Sequence, residues 1–380
     1  MKILHLEAFP CQTKSLIAPN LLITNRKSIT IGMFMTHDPE LKSRIARKPP
    51  TIRDVAEAAD VSTATVSRVL AGADLVTDEL KERVFEATRR LRYTPNRVAR
   101  NLRRRTTRMI GVVVPDIENP FFTSIIGGVE EVLQAANYIL LLANYNESPA
   151  KEYELLRTLG AEGAAGIIFT PSNAPNADYQ DLVREPAPMV AISRYPEGLN
   201  VDMVAVANSA GARAATDHLI RLGHKTIGFI NGPIGISTAR ERQAGYLEAF
   251  AAAGLEPQRD LIVHGEFRQD GGHHAMQALL SLDRPPTAVF TASNLMTLGA
   301  LQAIHERGLR IPKQIAVVGY DDLPWATSLQ PPLTAVAQPA RDVGVTAARL
   351  LLDRLAEPER PTRRIILDTH LVIRASCGAE

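Results

Sequence analysis

Ser62, Thr63, Ala64, Thr65, Ser67 and Arg68 place four hydroxyls, a methyl group and a guanidinium within seven residues. Carried on a helix, they form an outward face that starts with short side chains and has an arginine one turn further on. Such a face fits the major groove of DNA and can reach base edges there. Thr63, Ala64 and Arg68 are the candidate base readers. Thr65, Ser67 and the Ser62 region, with the helix N-terminus, suit phosphate contacts that set register without reading sequence. Thr51, placed to cap the helix before this one, completes the set. The same spacing would also serve a helical hairpin in an ordinary bundle. The neighbourhood favours DNA: residues 89–108 hold nine arginines and no Asp or Glu, a density that suits a polyanion.

The net charge of +2 conceals an uneven distribution. Residues 1–108 carry 21 Lys/Arg and 11 Asp/Glu, whereas 109–380 carry 22 and 30, so the two parts are net +10 and −8. They are expected to meet different partners.

Other chemistries find no support. The two cysteines, Cys11 and Cys377, lie at opposite ends with no CxxC or Cys/His cluster, which fits a reducing cytosol and excludes a cysteine metal site. His273 and His274 are adjacent and should point to different sides of a helix, and His264 stands apart; Gly271-Gly272 lacks the flanking spacing of a phosphate loop. No Ser/His/Asp or Cys/His constellation has motif support. Neither enzymatic activity, a cofactor nor a metal is expected. The longest apolar stretches, such as Ile139 to Ala143 and Ile315 to Val318, fall far short of the ~20 residues that cross a bilayer. The N-terminus lacks a signal-peptidase site. No membrane partner is expected, and the location should be cytoplasmic.

The elements that position these residues follow from periodicity. A chain of 380 residues suggests two or three domains. Residues 1–49 show no sustained periodicity; they are expected to be a mostly disordered basic arm or, given Met33 and Met35, the product of a start codon assigned too early. Residues 50–95 read as a helix-turn-helix domain. Ile52, Val55, Ala56 and Ala59 line one helix face, Asp60-Val61-Ser62 makes the turn, and Val66, Val69 and Leu70 face inward on the second helix. A third helix runs from the Thr77 cap to about Arg92, with Leu80, Val84, Ala87 and Leu91 on one face. Residues 96–107 hold a capping Asn and about two turns of helix, too short to be stable alone. From 108 to 380, apolar runs at Met109 to Pro115, Tyr138 to Ala143, Gly166 to Thr170, Met189 to Ser193, Thr226 to Asn231, Ala288 to Ala292 and Ile315 to Gly319 suit buried parallel strands, with helices between most of them. A last strand-like run spans Ile365 to Ile373. The fold class is therefore a small all-α head plus an α/β core, with room for two doubly wound parallel-sheet lobes and a ligand between them at the strand C-termini.

Thr51-Ile-Arg-Asp-Val-Ala-Glu-Ala-Ala-Asp-Val-Ser62, followed by Thr65-Val-Ser-Arg-Val-Leu70, resembles the head of the lactose/galactose repressor family. Tyr93-Thr-Pro-Asn-Arg-Val-Ala99 resembles its hinge. Asn119-Pro-Phe-Phe122, His218-Leu-Ile-Arg-Leu-Gly-His224, Arg240-Glu-Arg-Gln-Ala-Gly-Tyr246, Val317-Val-Gly-Tyr-Asp-Asp322 and Pro331-Pro-Leu-Thr334 continue the resemblance in register, from residue 50 to 376. The resemblance implies a homodimeric transcriptional repressor of carbohydrate-utilisation genes on a palindromic, double-stranded operator. In it, Asn96 caps a hinge helix, Arg97 and Arg100 meet phosphates beside Ala99, and Leu102 wedges into the minor groove at the central base step. No heptad segment follows the last strand-like run, so a dimer rather than a tail-joined tetramer is expected.

The resemblance also implies a core like that of periplasmic sugar-binding proteins, closed by a small effector. Arg242 would hold ligand oxygens, Asp321 would accept sugar hydroxyls, and Phe121 or Phe122 would form an aromatic wall. Ser193-Arg194 and Ser293-Asn294 stand where the family usually has Asp-Arg and Asn-Asp. These departures should make the pocket less acidic, so that the effector is a sugar or a sugar acid. Asp60 replaces a usual Gly at a left-handed turn position. A transport protein would need an export signal and no basic head. An enzyme would need a nucleophile or cofactor loop.

Overall fold

The computed structural model describes residues 50–70, 76–93, 107–172, 179 and 187–379. Residues 1–49, and with them the expected arm, lie outside this set. The chain divides into two units, Met1–Asn96 and Arg97–Glu380.

In the first unit, α1 (Ile52–Ala58), α2 (Thr63–Leu70) and α3 (Asp78–Leu91) pack against one another. The Thr51 cap is reciprocal: its hydroxyl accepts from the Asp54 N–H at 3.4 Å, and the Asp54 carboxylate accepts from the Thr51 N–H at 2.6 Å. That bond to the Thr51 backbone holds the Asp54 carboxyl below its ordinary value. Ser62 caps α2, its Oγ accepting from the Thr65 N–H at 3.1 Å. The core consists of Val55, Ala56, Ala59, Val66, Val69, Val84 and Ala87. With fully buried valines worth ~1.5–3 kcal/mol each, this is a small reserve for a domain of this size.

Asp60 sits at φ 49°, as its left-handed turn requires. Arg83 of α3 braces the turn by donating to the carbonyls of Ala59 at 2.7 Å and Asp60 at 3.2 Å. The third helix thus satisfies the carbonyls left over where α1 ends.

The second unit holds two six-stranded sheets. The first contains β1 (Met109–Val114), β2 (Ile139–Asn144), β3 (Gly166–Phe169), β4 (Met189–Ile192), β5 (Asp202–Val206) and β11 (Arg364–Leu367), all parallel, in the order β11-β5-β4-β3-β1-β2. The second contains β6 (Ile227–Asn231), β7 (Ile262–His264), β8 (Ala288–Thr291), β9 (Ala316–Tyr320), β10 (Thr334–Ala337) and β12 (His370–Val372), in the order β12-β10-β9-β8-β6-β7. Only β12 runs antiparallel there. Each sheet is the doubly wound arrangement expected from the alternating runs.

Helices α4 (Pro120–Ala135), α5 (Pro149–Ala161) and α10 (Ala340–Ala356) cover the first sheet, and α6 (Asn208–Arg221), α7 (Ser237–Ala252), α8 (Gln269–Leu280) and α9 (Asn294–Glu306) cover the second. The α4 and α10 backbones touch at Gly128 and Gly344, where any Cβ would strike the opposite helix's carbonyl. The chain passes between lobes at Ala207, at Gln338-Pro339 and at Asp368-Thr369. Among the described residues no helix is long and apolar enough to cross a membrane.

Two expectations are corrected. Ile365 to Ile373 is not one strand: β11 joins the first sheet and β12 the second, because the chain crosses between lobes at Asp368-Thr369. The second run is not buried. It is an edge strand, and Ile139, Leu141 and Leu142 are 40–56% exposed. The structure adds β5, β7 and β10, which are not among the expected runs; they are only three to five residues long, too short for a clear pattern.

Candidate functional site

On α2, Val66 and Val69 point into the head, leaving Ser62, Thr63, Ala64, Ser67 and Arg68 exposed and Thr65 half-buried. Thr51 and Ser62 use their hydroxyls for capping. Among the described residues no carboxylate pairs with Arg68. The surface is polar and cationic, with the α2 N-terminus beside it. Asn96, Arg97, Ala99, Arg100 and Leu102, assigned to the hinge, lie outside the described residues.

Between the lobes of the second unit is a cleft of about 940 Å³. Its walls are loops at the C-terminal ends of strands from both sheets, where an open α/β fold binds ligands. Phe121, Phe122, Ser193, Arg194, Arg242, Ser293 and Asp321 all line it. Phe121 and Phe122 follow the Asn119 cap of α4 and meet edge to face, with centroids 5.1 Å apart. Ser193, at φ 66°, turns the chain after β4 so that Arg194 enters the cleft.

Arg194 is 4% exposed and forms a two-point pair with Glu147, at 2.6 and 2.8 Å. Glu147 follows β2 and has φ 55°, a strained conformation matched in the other lobe by Glu266 and Phe267 after β7. Glu147 corrects the expectation of a less acidic pocket at this point, because it restores the carboxylate that Ser193 does not supply.

Arg242 is 5% exposed, on α7. Its Nε donates to Asn208 Oδ1 at 3.0 Å, its Nη1 to the Ala292 carbonyl at 2.5 Å, and its Cζ lies 3.7 Å from the Tyr320 ring centroid. Burial pushes the Tyr320 phenol up to about 12, so this ring remains neutral beneath the guanidinium.

Asp321, at φ 74° after β9, accepts from the Asn294 N–H at 3.0 Å, from Asn294 Nδ2 at 2.9 Å and from Gln338 Nε2. Its carboxylate faces the cleft but is already well supplied with donors. Asn294 does not line the cleft. It is 1% exposed behind Asp321, and its amide also donates to Asn119 of the other lobe at 3.0 Å. It joins the two lobes, so its difference from an Asp changes this clasp and not the rim.

His273 and His274 were expected on different sides of a helix, yet both reach the cleft, at centroids 5.7 Å apart. The α8 N-terminus ends in the cleft, which brings successive residues to its edge. His273 pairs with Glu306 at 2.7 Å, and the described residues contain no group of three potential metal ligands. Glu147, Asn119, Gln338 and Phe267 are cleft residues that sequence reasoning missed. Asn144-Tyr-Asn-Glu147 directly after an apolar run was the one available signal.

Residues 51–96 match the family model of bacterial regulatory proteins, lacI family, and residues 216–377 match a periplasmic binding protein-like domain. The ribose operon repressor of Halalkalibacterium halodurans is 38% identical over 326 residues, which is 85% of this chain and 96% of that protein. The transcriptional regulator CelR in its cellobiose complex superposes with a TM-score of 0.66 at 35% identity, over 86% of this chain and 99% of that one. The lac repressor dimer bound to operator and the anti-inducer ONPF gives a TM-score of 0.78 at 28% identity, over 87% and 100%. A capped helix-turn-helix with a polar outward face, joined in one chain to a two-lobed domain with a cleft, agrees with these similarities: the chain belongs to the lacI family and is a DNA-binding transcriptional repressor, not an enzyme.

Proposed function

We propose that this repressor binds a palindromic operator as a homodimer, controls carbohydrate-utilisation genes, and is switched by a small sugar or sugar-acid effector in the inter-lobe cleft. The observation that carries the switch is the cleft itself. Its aromatic wall and buried arginines and carboxylate come from both lobes, so an occupant gains most from one particular lobe arrangement. A ribose repressor and a cellobiose-bound regulator among the relatives support a carbohydrate.

Arg68, Thr63 and Ala64 read bases in the major groove, and Ser62, Thr65, Ser67 and Thr51 contact or position phosphates. Asn96, Arg97, Ala99, Arg100 and Leu102 form a hinge that orders on DNA, Leu102 unstacking the central step. A second copy covers the exposed Ile139, Leu141 and Leu142 of the β2 edge, an apolar strip that a monomer would leave open to aggregation.

Titration of the purified protein against genomic fragments at two salt concentrations, with sequencing of bound DNA, tests this. A shared palindrome whose affinity falls steeply with salt is expected. Bound fragments with no common sequence, with and without added sugars, would overturn it.

A further inference from the structure

We propose that the effector carries an oxyanion, a carboxylate or phosphate on a polyhydroxy skeleton, which pairs with Arg242. This rests on the cleft being the effector site and names the chemical class that fills it.

Among the described residues three arginines line the cleft. Arg194 is neutralised by Glu147 through both terminal nitrogens, and Arg268, at the solvent edge, pairs with Asp270 at 3.1 Å. Arg242 differs. It is the second guanidinium buried at the cleft floor, yet among the described residues no carboxylate lies within ion-pair distance of it. Two of its nitrogens are held by neutral acceptors, Asn208 and Ala292, and Nη2 makes no hydrogen bond within the described residues and stays open to the cleft.

A buried charge without a counter-ion is expensive, and a guanidinium loses little by pairing because it is weakly hydrated and rigid. The Tyr320 face beneath and the two neutral bonds fix its plane. One edge is thereby presented, preorganised, to whatever enters. The floor's own carboxylates do not meet this demand. Glu147 is committed to Arg194, and Asp321 is occupied by three amide N–H donors from Asn294 and Gln338. The remaining acids, Asp116, Glu118, Glu266 and Asp270, lie towards the mouth and are exposed or half-buried, where solvent screens them. They repel an anion weakly and accept hydroxyl protons well. Phe121, Phe122 and Phe267 offer apolar faces to the carbon skeleton. The ligand thus has its charge inward and its hydroxyls outward.

The test uses full-length protein at constant ionic strength, with binding measured by calorimetry and thermal shift. Probes are matched pairs: D-glucuronate and D-glucose, D-galacturonate and D-galactose, D-gluconate and D-glucitol, with D-glucose 6-phosphate and inorganic phosphate as the phosphoryl arm. At least one acid is expected to bind tenfold or more tightly than its neutral partner; the carboxylate or phosphoryl arm that wins identifies the source of the oxyanion. Arg242→Met should lose that affinity at least tenfold. Ligand-free Arg242→Met should keep wild-type operator binding and a cooperative unfolding transition, which separates lost pairing from misfolding, and Arg242→Lys, which keeps the charge, should retain part of the preference for the acid. Equal or tighter binding of the neutral members would overturn the inference while leaving a sugar-switched repressor intact. If none of the probes binds, both the oxyanion and the effector cleft fail, whereas operator binding by the head stands on its own titration. Wild-type acid affinity in Arg242→Met also overturns the proposal.

Discussion

The head carries its chemistry on the outside of a minimal core, whereas the two-lobed domain carries its chemistry inside. Around α2, every residue proposed to meet the major groove is exposed or half-buried and lies within seven positions of its neighbours, while Val66 and Val69 supply the packing. In the cleft, Arg194, Arg242 and Asp321 are each at most 6% exposed and come from three different loops and helices. A surface that recognises a polyanion can be written locally, since water tolerates any charge there. A buried site must have each charge compensated by a group the fold brings from elsewhere. The two regions therefore fail in different ways when altered.

Val66→Asp should have the largest effect. A carboxylate at a fully buried position of a seven-residue core has no partner, and a cost of ~4 kcal/mol or more exceeds what so small a domain can spare. Operator binding should vanish while the unfolding transition of the α/β unit, followed by calorimetry, stays in place; loss of both transitions would mean that the two regions are not independent.

Next is Asn294→Asp, which sets a second carboxylate about 3 Å from Asp321 where an amide now donates at 2.9 Å. The pair can hold only one charge comfortably, so one carboxyl's folded pKa rises. That stability is present at low pH and lost as pH rises, and the variant should be ~2–4 kcal/mol less stable than the wild type at pH 7 but close to it near pH 4.5. A pH-independent difference would show that the clasp does not depend on the amide.

Arg68→Ala should weaken specific operator binding by ~1–3 kcal/mol and random DNA much less, as read from paired titrations. Equal losses would make Arg68 a phosphate contact. Smallest is Asp60→Gly. Relief of the left-handed backbone at φ 49° is offset by the greater chain entropy of Gly, and Arg83 keeps its two carbonyl acceptors, so the change in stability should stay within ~1 kcal/mol. A loss above ~2 kcal/mol would mean the exposed Asp60–Arg83 ion pair contributes more than such pairs usually do.

The head was legible almost residue by residue. The caps at Thr51 and Ser62 and the inward valines follow from short-range rules, because helix periodicity and capping act over three or four positions, whereas the left-handed Asp60 was expected from the family resemblance. The doubly wound lobes were legible as a pattern, yet β5, β7 and β10 were not, since strands of three to five residues owe their existence to neighbours in a sheet. The exposure of β2 and the split of the final run into β11 and β12 depend on which strand sits at an edge and where the chain crosses between lobes.

In the cleft, residue types pointed to Arg242, Asp321 and the phenylalanines, but not to what each one touches. By itself the sequence determined a helix-turn-helix head followed by an arginine-rich segment, an acidic core of alternating strands and helices, and candidate residues for DNA contact, because these depend on local spacing and net charge. Only the tertiary structure decided that Glu147 neutralises Arg194, that Asn294 clasps the lobes through Asp321 and Asn119, and that Arg242 is left without a carboxylate among the described residues. Those facts depend on which loops meet at the ends of two sheets, across separations of 27 to 175 residues that no local rule spans.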